Sequence, residues 1–271
     1  MSRADRVAPT RQDSAPAQGG TMPLFSVKNL TKRFGALTAT NNITLDVGRE
    51  GIMAIIGPNG AGKTTFFNLL TGFIKPDDGK IFYKGTDVTG QKPYRIIRHG
   101  ISRSFQVVSI FEEMTVLDNV RVGVQRNLGL MNKLFLPYHK DRKTTDEAMA
   151  VLEHVGLGHM ADLPADSIPH GDRKILDLCM ALTSKPETLL LDEPMAGLSK
   201  AERIRITSVI KNLSLDHKII LVEHDMDLVF SVADVILVLH HGTVLAYDEP
   251  DKVSANEEVQ SAYLGREVAD A

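Results

Sequence analysis

The stretch Gly57-Pro58-Asn59-Gly60-Ala61-Gly62-Lys63-Thr64-Thr65 decides how this chain is read. The apolar run Ile52-Met53-Ala54-Ile55-Ile56 precedes it and reads as a buried strand. Thr65-Phe66-Phe67-Asn68-Leu69-Leu70 follows and reads as a helix. The pattern G-x-x-x-x-G-K-T between a strand and a helix is a phosphate-binding loop in the setting it requires. A polyphosphate needs several donors converging on one anion. Glycines let backbone N–H groups approach without a Cβ in the way. The helix N-terminus adds the positive end of its dipole. Lys63 supplies a full charge toward β- and γ-phosphates, and the Thr64 hydroxyl is placed for Mg²⁺.

Working outward, 271 residues suffice for one large α/β domain or a core with a smaller subdomain. The formal charge of -3 carries no basic excess that would point to nucleic acid, and Trp is absent. No apolar run reaches membrane-spanning length. One cysteine, Cys179, excludes a disulfide framework and fits a reducing cytosol. Residues 1–22, rich in Ala, Pro, Arg, Gln and Gly, have no apolar segment of the kind a signal peptide needs and read as a disordered extension.

Upstream of the loop, Leu24 to Lys28 and Asn42 to Val47 alternate and read as two short antiparallel strands, with Thr31 to Gly35 as a turn. Phe34 in that turn is a candidate to stack on a nucleotide base or to sit in the core. Downstream, Lys80 to Tyr83 reads as a strand, Pro93 to His99 as a short helix, and Ile101 to Gln106 as a strand ending in a polar residue. Gln106 matters if it faces the metal and the attacking water; otherwise it is a surface amide. Thr115 to Gly156 is helical with an interruption at Leu128 to Tyr138. The mixed apolar and basic segment Arg126 to Lys140 suits a membrane surface, a partner protein or packing on its own subdomain.

Thr188-Leu189-Leu190-Leu191-Asp192-Glu193-Pro194 is the second strong signal. A buried strand delivers carboxylates to its C-terminal end, where α/β sheets put ligands. Asp192 there can hold Mg²⁺ through water, across from Thr64, and Glu193 can polarise a water against the γ-phosphate. Lys200 to Leu213 reads as an amphipathic helix with Ile204, Ile206, Val209, Ile210 and Leu213 on its apolar face. Lys218 to Asp225 reads as a buried strand that carries His224 at its end. His241-Gly242 is a hairpin turn between two strands, and Pro250 to Leu264 a closing helix. The alternation of strands and helices predicts a mostly parallel sheet.

Taken in order, Phe34, the P-loop, Gln106, Gly171, L-L-L-D-E-P, A-G-L-S and V-E-H-D resemble the ATP-binding subunit of ABC transporters. The likeness covers nearly all of Leu24 to Gly265. Ser104-Phe105-Gln106, Met114-Thr115-Val116, Val222 to Met226, Ala262 to Gly265 and the long insertion after Gln106 resemble the longer ATPase subunit of branched-chain amino acid importers and their urea or amide relatives. The resemblance implies a P-loop core with a mostly parallel sheet, a small antiparallel β subdomain and a helical subdomain at about 107–185, the whole ATPase domain spanning 23–266 before a short tail. It implies that Phe34 stacks on the adenine of ATP and that Gly57, Pro58, Asn59, Gly60, Ala61, Gly62, Lys63, Thr64 and Thr65 bind its phosphates. Thr64, Gln106 and Asp192 would complete the Mg²⁺ and water shell, Glu193 would be the general base, and His224 the γ-phosphate sensor. Gly171 would belong to a signature loop that reaches ATP on a second ATPase subunit, a copy or a paralogue, paired head to tail. Transmembrane permease subunits would be the direct partners, with a solute-binding protein indirectly involved and no nucleic acid. The place implied is the inner face of the plasma membrane, on the cytoplasmic side.

The signature departs from the family's L-S-G-G-Q and reads Ile168-Pro169-His170-Gly171-Asp172. Pro169 offers neither hydroxyl nor N–H. Asp172 would repel a phosphate about 7 Å away by on the order of 2 kcal/mol at an effective dielectric near 20, with Arg173 and Lys174 as the nearby offset. Weak self-association and a paralogous partner are the expectation. The rival readings are a soluble ABC-type ATPase on DNA or ribosomes, a small-molecule kinase, and a non-catalytic ATP-dependent module. The chain lacks the coiled-coil insertion or tandem domain of the first. The second does not need Gln106, Gly171 and His224 in that order, and Glu193 speaks against the third.

Overall fold

The computed structural model describes residues 22–49, 51–104, 110–127 and 141–264. The predicted N-terminal extension, Gln106, the segment 128–140 and the end of the chain lie outside the described residues. A four-stranded sheet has the order β2-β1-β4-β5, built from β1 (Phe25–Phe34), β2 (Leu37–Val47), β4 (Asp78–Tyr83) and β5 (Thr86–Asp87), all antiparallel. A six-stranded sheet has the order β10-β9-β3-β8-β7-β6. Its members are β3 (Ile52–Ile56), β6 (Ile101–Arg103), β7 (Thr188–Asp192), β8 (Lys218–Val222), β9 (Val235–His240) and β10 (Thr243–Asp248). The first five run parallel, and β10 returns antiparallel through the hairpin at His241-Gly242.

The central strands are continuous apolar runs because they are covered on both faces. Every residue of β3 is buried, and side-chain alternation divides them. Met53 and Ile55 join a core with Phe25, Leu30, Tyr83 and the first helix, α1 (Lys63–Leu70), through Phe66 and Phe67. Ile52, Ala54 and Ile56 face a second core with α3 (Val116–Asn127), α4 (Arg142–His154), α5 (His170–Leu182) and α6 (Lys200–Leu213). A short α2 (Pro93–Ile96) comes before α3, and α7 (Met226–Val232), α8 (Pro250–Ser254) and α9 (Glu257–Leu264) follow. A buried hydrogen bond of 3.0 Å between Tyr83 Oη and Thr188 Oγ1 ties the two sheets together.

Several expected elements differ. The two N-terminal strands are long, and β1 runs through Thr31 to Phe34, where a turn was expected. Bulges between Val27 and Arg33 break its alternation, and Asn29 and Asn42 take positive φ beside them. β8 stops at Val222, and Asp225 caps α7 by accepting from the Leu228 N–H. The closing helix is two, because the Asn256 side chain accepts from the Glu258 and Val259 N–H groups and starts α9 afresh. Ile204 is 65% exposed and not on the buried face of α6, which Ile206, Val209, Ile210 and Leu213 form.

Packing singles out two glycines of the loop. A Cβ on Gly57 would lie 2.2 Å from the Leu239 carbonyl of β9, and one on Gly62 would lie 2.2 Å from the Ala39 carbonyl of β2. Among the described residues, a Cβ on Gly60 would meet nothing within 4 Å. All three have positive φ, at 152°, 100° and 80° for Gly57, Gly62 and Gly60. Gly60→Ala therefore costs only backbone strain, about 1–2 kcal/mol, whereas Gly62→Ala must also displace β2. Thermal unfolding is expected to show a clearly larger fall in Tm for Gly62→Ala than for Gly60→Ala; equal falls would contradict the wedged loop.

Candidate functional site

The parallel strands end together on one edge. Ile55 of β3 and Asp192 of β7 both pair with Val222 of β8. At about 4.8 Å per strand, Asp192 thus lies roughly 10 Å across the sheet from the strand that feeds the loop. The Glu193 N–H extends the ladder by donating to the Val222 carbonyl at 3.0 Å. The loop, Asp192, Glu193 and His224 are therefore brought to the carboxyl edge of one sheet, where such sheets bind ligands.

Gly62 caps α1 in the left-handed conformation, so the loop's N–H groups lead into the helix N-terminus. Lys63 Nζ donates to the Gly57 carbonyl at 2.6 Å and the Pro58 carbonyl at 3.0 Å, and so lies across the loop. Thr64 is exposed and Thr65 half-buried on the first turn. The loop is held from outside as well: the Gly242 N–H of the β9–β10 hairpin donates to the Ala61 carbonyl at 3.0 Å. Phe34 ends β1 with 49% of its surface exposed, which rules out the core reading. Lys32 Nζ lies 5.5 Å from its ring centre.

Asp192 is buried, and its Oδ2 lies 2.6 Å from Arg103 Nη2. Glu193 follows in the left-handed region at φ 46°, a conformation that costs a non-glycine residue about 1–3 kcal/mol. His224 stands out from the edge with 63% of its side chain exposed. Thr64 and Asp192 offer hard oxygen donors, the type Mg²⁺ takes. The donor chemistry fits that ion.

Three further groups were not legible in sequence. Glu223 is buried. Its Oε1 accepts from the Met195 N–H at 3.0 Å and its Oε2 from the His224 N–H at 3.3 Å, which ties the turn after Glu193 to the loop bearing His224. Burial pushes its carboxyl up from the usual carboxylate range. Glu202 on α6 forms a capping box with Ser199 and also accepts from the Gly171 N–H at 2.9 Å. The Ser199 hydroxyl, the Ser199 N–H and the Gly171 N–H hold the Glu202 carboxyl down at about 2. The Gly171 donor that the resemblance assigns to a phosphate thus already has a carboxylate partner. Arg103 is the third.

The expected repulsion from Asp172 needs correction. Asp172 is buried with its carboxylate 2.5 Å from the Arg205 guanidinium of α6, so its charge is paired within the chain. The direct ion pair comes from Arg205 of α6. Arg173 donates to the carbonyls of Ile168 and Asp166, and Lys174 lies 3.5 Å from the Glu193 carbonyl. Cys179 is buried, and burial pushes its thiol up. Among the described residues, no helix is long and apolar enough to cross a membrane.

Known proteins are similar to this chain along most of its length. The family described as ABC transporter matches residues 40–196. The high-affinity branched-chain amino acid transport ATP-binding protein LivG of Escherichia coli K12 is 40% identical over 252 residues, covering 90% of this chain and 99% of that protein. BraF of Pseudomonas aeruginosa, described in the same words, is 38% identical, covering 90% and 98%. The crystal structure of the ADP conformation of an ATP-binding cassette of an ABC transporter superposes with a TM-score of 0.79 at 28% identity, covering 90% of this chain and all of that one.

Proposed function

The chain belongs to the ABC transporter family, and from that premise we propose that it is the ATP-hydrolysing subunit of an importer for branched-chain amino acids or a related small polar solute. The observation that carries the ATPase reading is the shared edge: the loop of Lys63, the carboxylates Asp192 and Glu193, and His224 all end on it. The solute class rests on the names of the relatives, since solute does not bind to this type of subunit.

The loop N–H groups and Lys63 bind the phosphates of ATP, and the exposed Phe34 ring offers a stacking face for adenine. Glu193 takes the proton of the attacking water, and His224 contacts the γ-phosphate. Thr64 and Asp192, with Gln106, would hold Mg²⁺, which when bound stabilises charge on the phosphates as a Lewis acid. A second ATPase subunit, a copy or a paralogue, pairs head to tail so that the turn at Gly171 reaches its nucleotide.

Transmembrane permease subunits are the direct partners, and the chain sits peripherally on the inner face of the plasma membrane. A groove of about 790 Å³ between the β6 side of the sheet and α3 and α5 supports this. Tyr94 and Phe111, 48% and 51% exposed, stand on its walls beside Arg126 and Met180. Exposed aromatics around a concave surface mark protein contact. Co-purification from detergent extracts tests the proposal. The unmodified chain is expected to emerge with integral-membrane subunits, and a Tyr94→Ala, Phe111→Ala variant to retain ATP binding while recovering less than about a tenth as much. Recovery of the unmodified chain without any integral-membrane partner would overturn the transport reading.

A further inference from the structure

Arg103 ends β6 and has no part in the phosphate chemistry described above. Its guanidinium is held from several sides. Nη2 donates to Asp192 Oδ2 at 2.6 Å, and Nη1 donates to Asn68 Oδ1 at 2.6 Å and to Thr71 Oγ1 at 3.3 Å. The guanidinium carbon lies 4.8 Å from the ring centre of Phe67 and 4.9 Å from that of Phe73. Side-chain exposure is 12% for Arg103 and 7% for Asp192. A planar fork held by stacking and by three acceptors has little freedom left, which a lysine in its place would not reproduce.

The partners lie on two different elements. Asn68 and Thr71 belong to α1 and its C-cap, the helix whose first turn carries Lys63 and Thr64. Asn68 is four residues beyond Thr64, about 6 Å along the helix axis. Asp192 belongs to β7, two strands away from β3. Arg103 therefore bridges the helix that bears one oxygen donor and the strand that bears the other. With Oδ2 engaged by the guanidinium, rotation of the carboxylate is restricted, and among the described residues no hydrogen bond is made to Oδ1, which leaves that oxygen to a ligand.

We propose that Arg103 is a positioning residue for the metal-side carboxylate: its clamp on Asp192 Oδ2, Asn68 and Thr71 sets which oxygen of Asp192 serves Mg²⁺ and how far that oxygen stands from Thr64. The inference rests on the reading of Asp192 as part of the metal shell. Outer partners that orient first ligands typically change metal affinity by about 10–100-fold when removed. The opposite expectation is equally definite: if Arg103 only adds positive charge beside a cation site, its removal tightens metal-dependent binding.

The test measures ATP affinity in EDTA and in saturating Mg²⁺ for the full chain and takes the ratio. Arg103→Met is expected to leave affinity in EDTA within about twofold and to reduce the Mg²⁺-dependent gain by about tenfold. Arg103→Lys should fall between, since a point charge can meet Asp192 but not Asn68 at the same time. An unchanged or larger Mg²⁺ gain in Arg103→Met overturns the proposal. Should that variant fail to fold, Asn68→Ala loosens the clamp while keeping the ion pair. A reduced gain there supports the proposal, and an unchanged one overturns it. Asp192→Asn is the separate control. If its Mg²⁺ gain equals that of the unmodified chain, the metal reading of Asp192 fails first and the role of Arg103 falls with it. A loss in Asp192→Asn without one in Arg103→Met removes the role of Arg103 alone.

Discussion

Glu193→Gln is expected to lower steady-state ATP hydrolysis by about two to four orders of magnitude, the range a positioned general base contributes, while ATP affinity stays within about twofold. The separation follows from where Glu193 sits. Its N–H is committed to the Val222 carbonyl, and its positive φ turns the chain out of the sheet directly after Asp192. Gln has the same shape and the same backbone demands, so the turn and the phosphate loop survive. Only the capacity to accept a proton is lost. ATP that binds but does not turn over keeps any nucleotide-dependent pairing of subunits populated, by mass action. Size-exclusion chromatography of the variant in ATP should therefore show a dimer, with itself or with a paralogue, that the unmodified chain forms only transiently. A fall in rate of less than tenfold would remove Glu193 from the role of base. A deep loss of hydrolysis with only monomer would leave the base in place and count against the head-to-tail pairing.

The parts legible in sequence are those where local pattern and tertiary setting agree. The runs Ile52 to Ile56 and Thr188 to Asp192 sit between two cores, so they show as unbroken apolar strands with chemistry at their ends. The glycines of the loop announce backbone conformations that only they take freely, and two of them also admit close neighbours from β2 and β9. The signature region was legible as a departure but not in its consequence. Asp172 looks like a charge offset only by its neighbours Arg173 and Lys174 until Arg205 arrives from α6 to pair with it.

What escaped was held by distant partners or by irregular backbone. Arg103 meets Asp192 from 89 residues away, Met195 meets Glu223 from 28, and Gly171 meets Glu202 from 31. No periodicity records such pairs, because nothing in the segments of Arg103, Glu202 and Glu223 names the distant group each one meets. The length of β1 was hidden by bulges that break its alternation. The break between α8 and α9 had a signal, Asn256 before Glu257 and Glu258, that the helical pattern on either side obscured.

Lys63→Ala is expected to weaken ATP binding by about a hundredfold and to abolish hydrolysis at ordinary nucleotide concentrations. The size follows from the bonds lost. Hydrogen bonds to charged groups contribute about 1.5–3 kcal/mol each, and a hundredfold corresponds to about 2.8 kcal/mol, so one or two such bonds to phosphate suffice. The ammonium also spans the loop, 2.6 Å from the Gly57 carbonyl and 3.0 Å from that of Pro58. Alanine therefore removes a cation and a brace together, and a second measurement separates them. If the cation matters most, the loss grows with the number of phosphates, so that ATP suffers more than ADP and AMP least. A loosened brace would instead weaken all three alike and lower the melting temperature. Lys63→Met, which keeps much of the stem and removes only the charge, should match the alanine variant in affinity if charge dominates. Titrations showing ATP affinity within about threefold of the unmodified chain would withdraw the loop from phosphate binding, whatever its resemblance.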